Sequence, residues 1–148
     1  MKLLLMLAAA LVAVPAIAQD AVSVRSAVFL ETAGGEAAGS IRSVTPASSL
    51  QRGDKVVLLM HWRAHEPTGF TITSEVPRHL SFRESARQIQ EVSVDGGKSW
   101  GPLDQITLRD RFGHRAASPA DVTHLRWRIP AGEAIRGHGS IAYSARVR

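Results

Sequence analysis

The 148-residue sequence contains no cysteine, a single tyrosine and only three lysines, Lys2, Lys55 and Lys98. Without cysteine there is no disulfide, no thiolate metal site, no thiol nucleophile and no lipid-modified cysteine. After Val14 there is no apolar run long enough to span a bilayer. No glycine-rich phosphate loop, dinucleotide fingerprint, G-x-S-x-G elbow or H-E-x-x-H helix occurs. Fixed-period repeats are absent as well, which excludes solenoids and propellers. The basic residues are nearly all arginine, and 18 basic against 13 acidic residues give a net charge of +5.

The N-terminus has the layout of an export signal. Lys2 precedes an unbroken apolar run from Leu3 to Val14, Pro15 ends it, and Ala16-Ile17-Ala18 offers small residues to a signal peptidase. The sequence therefore predicts a secretory signal peptide over residues 1–18 and one domain over residues 19–148. Cleavage removes one of the 18 basic residues and none of the 13 acidic ones, which leaves a net charge of +4. Export predicts a periplasmic or extracellular location.

Beyond residue 20 the apolar residues recur with period two in short runs broken by glycine, proline and serine, and no helical period is sustained. The first run includes Val22, Val24 and Ala27 to Leu30, and GSIRSV follows it. The strongest strand runs from Asp54 to Arg63, with Val56, Leu58, Met60 and Trp62 on one face, and reads as central. Phe70 to Ser74, Leu80 to Phe82 and Ile89 to Val94 follow. Leu103 to Arg109 alternates less cleanly, and Asp110 to Asp121 reads as a long polar connection. Two late strands carry Leu125, Trp127 and Ile129, and Ile141, Tyr143, Ala145 and Val147, inward. Seven to nine short strands predict an all-β, immunoglobulin-like antiparallel β-sandwich, with a small barrel as the alternative.

The octet Ser93-Val-Asp-Gly-Gly-Lys-Ser-Trp100 matches the Asp-box pattern found on hairpins of sialidase-like β-propellers. One copy in a chain of this length is too little for a propeller. The residues themselves predict a structural hairpin. Asp95-Gly96 suits a tight type I′ turn, Gly97 offers another positive φ, the Asp95 carboxylate ties the amides near Lys98 and Ser99, and Trp100 restarts a strand.

The segment GDKVVLLMHWRAHEPTGFTITSEVPRHLSFRES, the VSVDGGKSW hairpin and VTHLRWRIP together resemble the DUF11, or conserved-repeat, domains, which are immunoglobulin-like sandwiches of bacterial surface and cell-wall proteins. The resemblance runs from Gly53 to Pro130. Members usually occur as repeats, whereas this chain has one copy, and Arg63 to Gly69 replaces the usual Asn-Gly turn. It implies a non-catalytic structural, binding or adhesion module of the cell envelope and supplies no active-site residues. The other class of function considered is a periplasmic accessory enzyme or metal-handling protein.

Candidate sites follow from the polar residues. His61 and His65 are four apart but separated by the expected strand end, so the sequence predicts neither a metal site nor a cofactor. Glu84 with Glu91, or Asp104 with Asp110, are the carboxylates that would have to converge for glycoside hydrolysis. Arg126 and Arg128 face outward on one late strand, and Arg146 and Arg148 on the other. Paired strands would gather all four on one sheet face as an anion-binding surface. The expected partner is an envelope protein or an anionic surface polymer, not nucleic acid.

Overall fold

The computed structural model describes residues 21–32, 43–46, 49–88 and 91–148. The expected signal peptide over 1–18, the expected polar connection after Thr32, the start of the GSIRSV run and Ile89 lie outside them. The strands are β1 (Val22–Thr32), β2 (Ser43–Pro46), β3 (Lys55–Ala64), β4 (Phe70–Glu75), β5 (Leu80–Ser85), β6 (Glu91–Ser93), β7 (Thr107–Asp110), β8 (Gly113–Ala116), β9 (His124–Ile129) and β10 (His138–Val147). Short 3-10 turns cover Leu103–Gln105 and Pro119–Asp121, and one helical turn, α1 (Ala131–Ala134), joins β9 to β10.

Five strands in the order β2-β1-β3-β10-β5 form the larger sheet, and β4-β9-β6 form the smaller one. All their pairings are antiparallel. The two sheets pack face to face as an all-β sandwich, and neither closes into a barrel. The hairpin β7–β8 belongs to neither sheet and brings the described strands to ten.

Period two explains the packing. β3 buries Val56, Leu58, Met60 and Trp62 and turns Val57, Leu59, His61 and Arg63 outward. It is central, paired with β1 on one side and β10 on the other. Ile141, Tyr143 and Ala145 from β10 meet Leu125, Trp127 and Ile129 from β9, and Trp127 stacks on Tyr143 with centroids 5.9 Å apart. The smaller sheet covers the larger one only in part. Val24 aligns with Trp62 on the inward side of β1, yet it is 45% exposed because β4 is the last strand of the smaller sheet.

The expected polar connection from Asp110 to Asp121 contains β8 and the Pro119–Asp121 turn. Asp110 pairs with Gly113 across the two-residue loop Arg111-Phe112, and the Phe112 amide donates to Asp110 Oδ1 at 2.8 Å. Aspartate at the first position and glycine at the fourth are turn-forming choices, a signal that the absence of apolar alternation hides. The Ala117 amide bonds the Ile106 carbonyl and closes the base of the hairpin.

Candidate functional site

The octet is a loop, not a two-residue hairpin. β6 ends at Ser93, and Val92 pairs with Gly101 as an isolated bridge, so residues 93–100 form the loop and Trp100 restarts no strand. Positive φ falls at Gly96 (80°) and Gly97 (85°). The buried Ser93 hydroxyl donates to Asp95 Oδ1 at 2.7 Å and accepts the Gly97 amide at 2.9 Å. Asp95 Oδ1 also accepts the amides of Lys98 (3.0 Å) and Ser99 (2.9 Å), and Oδ2 accepts the Ser99 hydroxyl at 2.6 Å. Trp100 Nε1 returns to the Gly97 carbonyl at 3.0 Å. The side chains of Ser93, Asp95, Ser99 and Trp100 are thus all turned onto the loop itself, while the Gly96 amide ties it to the Thr123 hydroxyl at 3.0 Å.

The Ser99 hydroxyl, then the Ser99 amide and the Ser93 hydroxyl, hold the Asp95 carboxyl well below the usual carboxylate range. A lowered folded-state pKa adds stability that is complete above the unfolded value, about 4. That stability is lost as the pH falls from there toward the folded value. Asp95→Ala should lower the melting midpoint at neutral pH and flatten its decline below pH ~4. Asp95→Asn should retain part of the stability, since an amide oxygen still accepts the Lys98 and Ser99 amides. Thermal melts of the three proteins across acidic pH check this; identical acid profiles would refute it.

The four outward arginines are not gathered. β9 pairs with β4 and β6, whereas β10 pairs with β3 and β5, so the two strands lie in opposite layers. Arg126 and Arg128 therefore face away from Arg146. Arg126 donates to Glu91 Oε2 at 2.8 Å and stacks over the Trp100 ring at 3.8 Å. Arg128 is exposed on the same face. Arg148 lies past the end of β10 and binds backbone, Nε to the Leu80 carbonyl (2.9 Å) and Nη2 to the Ala120 carbonyl (2.7 Å). Glu84 is on the outer face of the larger sheet and Glu91 on that of the smaller, so this carboxylate pair does not converge either.

Arg148 borders a smaller depression beside Pro77 and His124, whereas Arg146 opens onto a cleft on the outer face of the larger sheet. This cleft has a volume of about 540 Å³ and lies between that face and the Ser118–Ala120 segment. Lys55, paired in register with Arg146, and Arg83 bring two more cations, while Glu31, Glu84, Ser118 and Ser144 add acceptors and hydroxyls. Arg83 and Glu84 are both exposed because of a bulge. Phe82 pairs with Ala145 and Glu84 with Ser144, so Arg83 is the extra residue on β5. Period-two reading passed over Lys55 and Arg83, since neither the bulge nor the chain crossing at Ser118 is written in the local pattern. A shallower depression continues the cleft over Val57 and Ala142.

Two other arginines are occupied. Arg87 makes a bidentate pair with Glu133 (2.7 and 2.8 Å) and also donates to the Arg128 carbonyl. Arg115 makes another with Asp121 (2.7 Å to each oxygen) and approaches Asp110 at 3.5 Å. By contrast, Lys55, Arg83 and Arg146 have no ion-pair partner among the described residues. No group of three or more histidine, aspartate or glutamate residues among the described residues is placed to hold a metal ion. No helix among them is long and apolar enough to cross a membrane.

No family model matches the chain, and no curated protein or solved structure is significantly similar to it.

Proposed function

We propose that the chain is an exported, non-catalytic β-sandwich module of the bacterial cell envelope, a single-copy relative of the conserved-repeat domains, which binds an anionic polymer through the Lys55–Arg83–Arg146 cleft. The observation that carries this reading is the convergence of three cations on one cleft. Lys55, Arg83 and Arg146 all line it, exposed and without an ion-pair partner among the described residues. Guanidinium groups fork onto carboxylate or phosphate oxygens. Glu84 and the Ser144 hydroxyl beside it suit a ligand that also carries hydroxyl groups, as an acidic polysaccharide does. The non-catalytic part of the reading is supported by the octet, whose enzyme-like pattern is consumed in shaping its own loop.

Heparin stands in for such a polymer. Lys55→Ala/Arg83→Ala/Arg146→Ala should elute at clearly lower salt than the parent and bind roughly tenfold more weakly, as loss of three charged contacts implies. An unchanged elution position in a folded triple variant would sink the cleft as the binding site.

A further inference from the structure

The β7–β8 hairpin is used neither by the core nor by the cleft. All of its residues except Leu108 are exposed, and Phe112, at the apex, is 85% exposed. The Arg111 guanidinium lies over the Phe112 ring, 4.8 Å from its centroid. The faces of the hairpin differ. Leu108, half-buried, shares one with Arg115, whose pairs to Asp121 and Asp110 brace the arm against the body. Arg109 aligns with His114 on the other. Asp110, the hairpin's one acidic residue, is engaged by the Phe112 amide and by Arg115. Arg109 and Arg111 have no carboxylate partner among the described residues.

We propose that this hairpin docks on an anionic lipid bilayer, with Phe112 entering the boundary between headgroups and acyl chains and Arg109 and Arg111 meeting lipid phosphates. An exposed aromatic ring gains by leaving water, and interfacial depth suits aromatic residues. Basic residues at the surface select for anionic lipid. The hairpin apex offers one ring with Arg111 over it and Arg109 further down the strand, far less area than a specific protein interface needs. A bilayer accepts such a point contact, in the weak and reversible way of a single anchor. The proposal rests on export but is independent of the cleft.

The test uses protein purified after export, with its N-terminus checked by mass, because an uncleaved apolar leader would itself bind vesicles. Sedimentation with phosphatidylglycerol-rich vesicles should show partitioning that pure phosphatidylcholine vesicles lack and that falls with added salt. Phe112→Ser should weaken it about tenfold, and Arg109→Gln/Arg111→Gln by at least as much. Phe112→Trp should retain it. The charge-matched control Arg63→Gln/Arg136→Gln should partition like the parent. Melting midpoints confirm folding, which so exposed a side chain scarcely affects. Equal binding to both vesicle types, no binding, or an unchanged Phe112→Ser would overturn the proposal. So would a photo-crosslinker at position 112 that captures protein instead of lipid in intact envelopes. Heparin retention is read separately, so failure here leaves the cleft untouched.

Discussion

Replacing Trp127 by alanine is expected to cost about 3–5 kcal/mol of folding stability, the range for removing a large buried aromatic. Trp127 is fully buried and holds the two layers together. Its backbone belongs to β9 in the smaller sheet, and its ring stacks on Tyr143 of β10 in the larger one, at 5.9 Å and 29°. Its Nε1 donates to the Ser85 hydroxyl at 3.3 Å, also on the larger sheet. Truncation therefore removes contacts across the sandwich at its centre, where neighbours on both sides are fixed in ladders and cannot collapse into the space. The lost hydrogen bond is the smaller part, because the Ser85 hydroxyl still donates to the Ala142 carbonyl at 3.3 Å. With roughly 5–15 kcal/mol typical of a whole domain, the variant should be close to its folding threshold. Urea titration checks this: the midpoint should fall with little change in slope. A shift under about 1 kcal/mol would mean that the sheets are held together elsewhere.

That role for Trp127 was partly legible in the sequence. Alternation placed Leu125, Trp127 and Ile129 inward, and likewise Ile141, Tyr143 and Ala145, because burial on one face of a strand imposes period two wherever the strand sits. The same alternation says nothing about which strand lies beside which. Two consecutive inward-facing strands read alike whether they pair or oppose each other across the core. Here α1 carries the chain from the smaller sheet to the larger, and the expected arginine surface divides between opposite faces. The candidate cleft fell in the same blind spot. Lys55 and Arg146 are neighbours through a non-local pairing of β3 with β10, and Arg83 joins them through a bulge.

Elsewhere the local signals competed. In the octet, Asp95-Gly96 pointed to a two-residue turn, but the Asp95 carboxylate gathers amides at positions three and four further on, and satisfying them opens an eight-residue loop. In the β7–β8 hairpin there was almost no burial to impose alternation, so the strand pair was legible only through Asp110 and Gly113 at its turn. β1 was under-read for a related reason: Val24 and Ser26 are exposed although they sit on the inward side of a long central pairing. Where the core does not reach, the period-two signal fades while the hydrogen-bonded ladder continues.

Gly139 gives the second large effect. It lies within β10, directly opposite Trp62 of β3, and the Trp62 ring lies across it. A Cβ built on Gly139 would fall 2.4 Å from Trp62 Cζ2, 2.6 Å from Cε2 and 2.9 Å from Nε1, well inside van der Waals contact. The ring has nowhere to go, being 1% exposed and held edge-on by Phe70 at 5.3 Å and 76°. Alanine for glycine in a strand ordinarily stabilises by about 0.4–1 kcal/mol through the unfolded chain. Overpacking of a rigid core costs about 1–3 kcal/mol or more, so the clash should win and Gly139→Ala should destabilise by about 2 kcal/mol. The decisive measurement is a double-mutant cycle with Trp62→Phe. That substitution removes the obstructing atoms together with an indole N–H that is buried without a hydrogen-bond partner among the described residues. In the Trp62→Phe background Gly139→Ala should become neutral or stabilising, a coupling of about 2 kcal/mol between cross-strand neighbours. Equal penalties in both backgrounds would locate the demand for glycine in the β10 backbone instead of in the indole that crosses it.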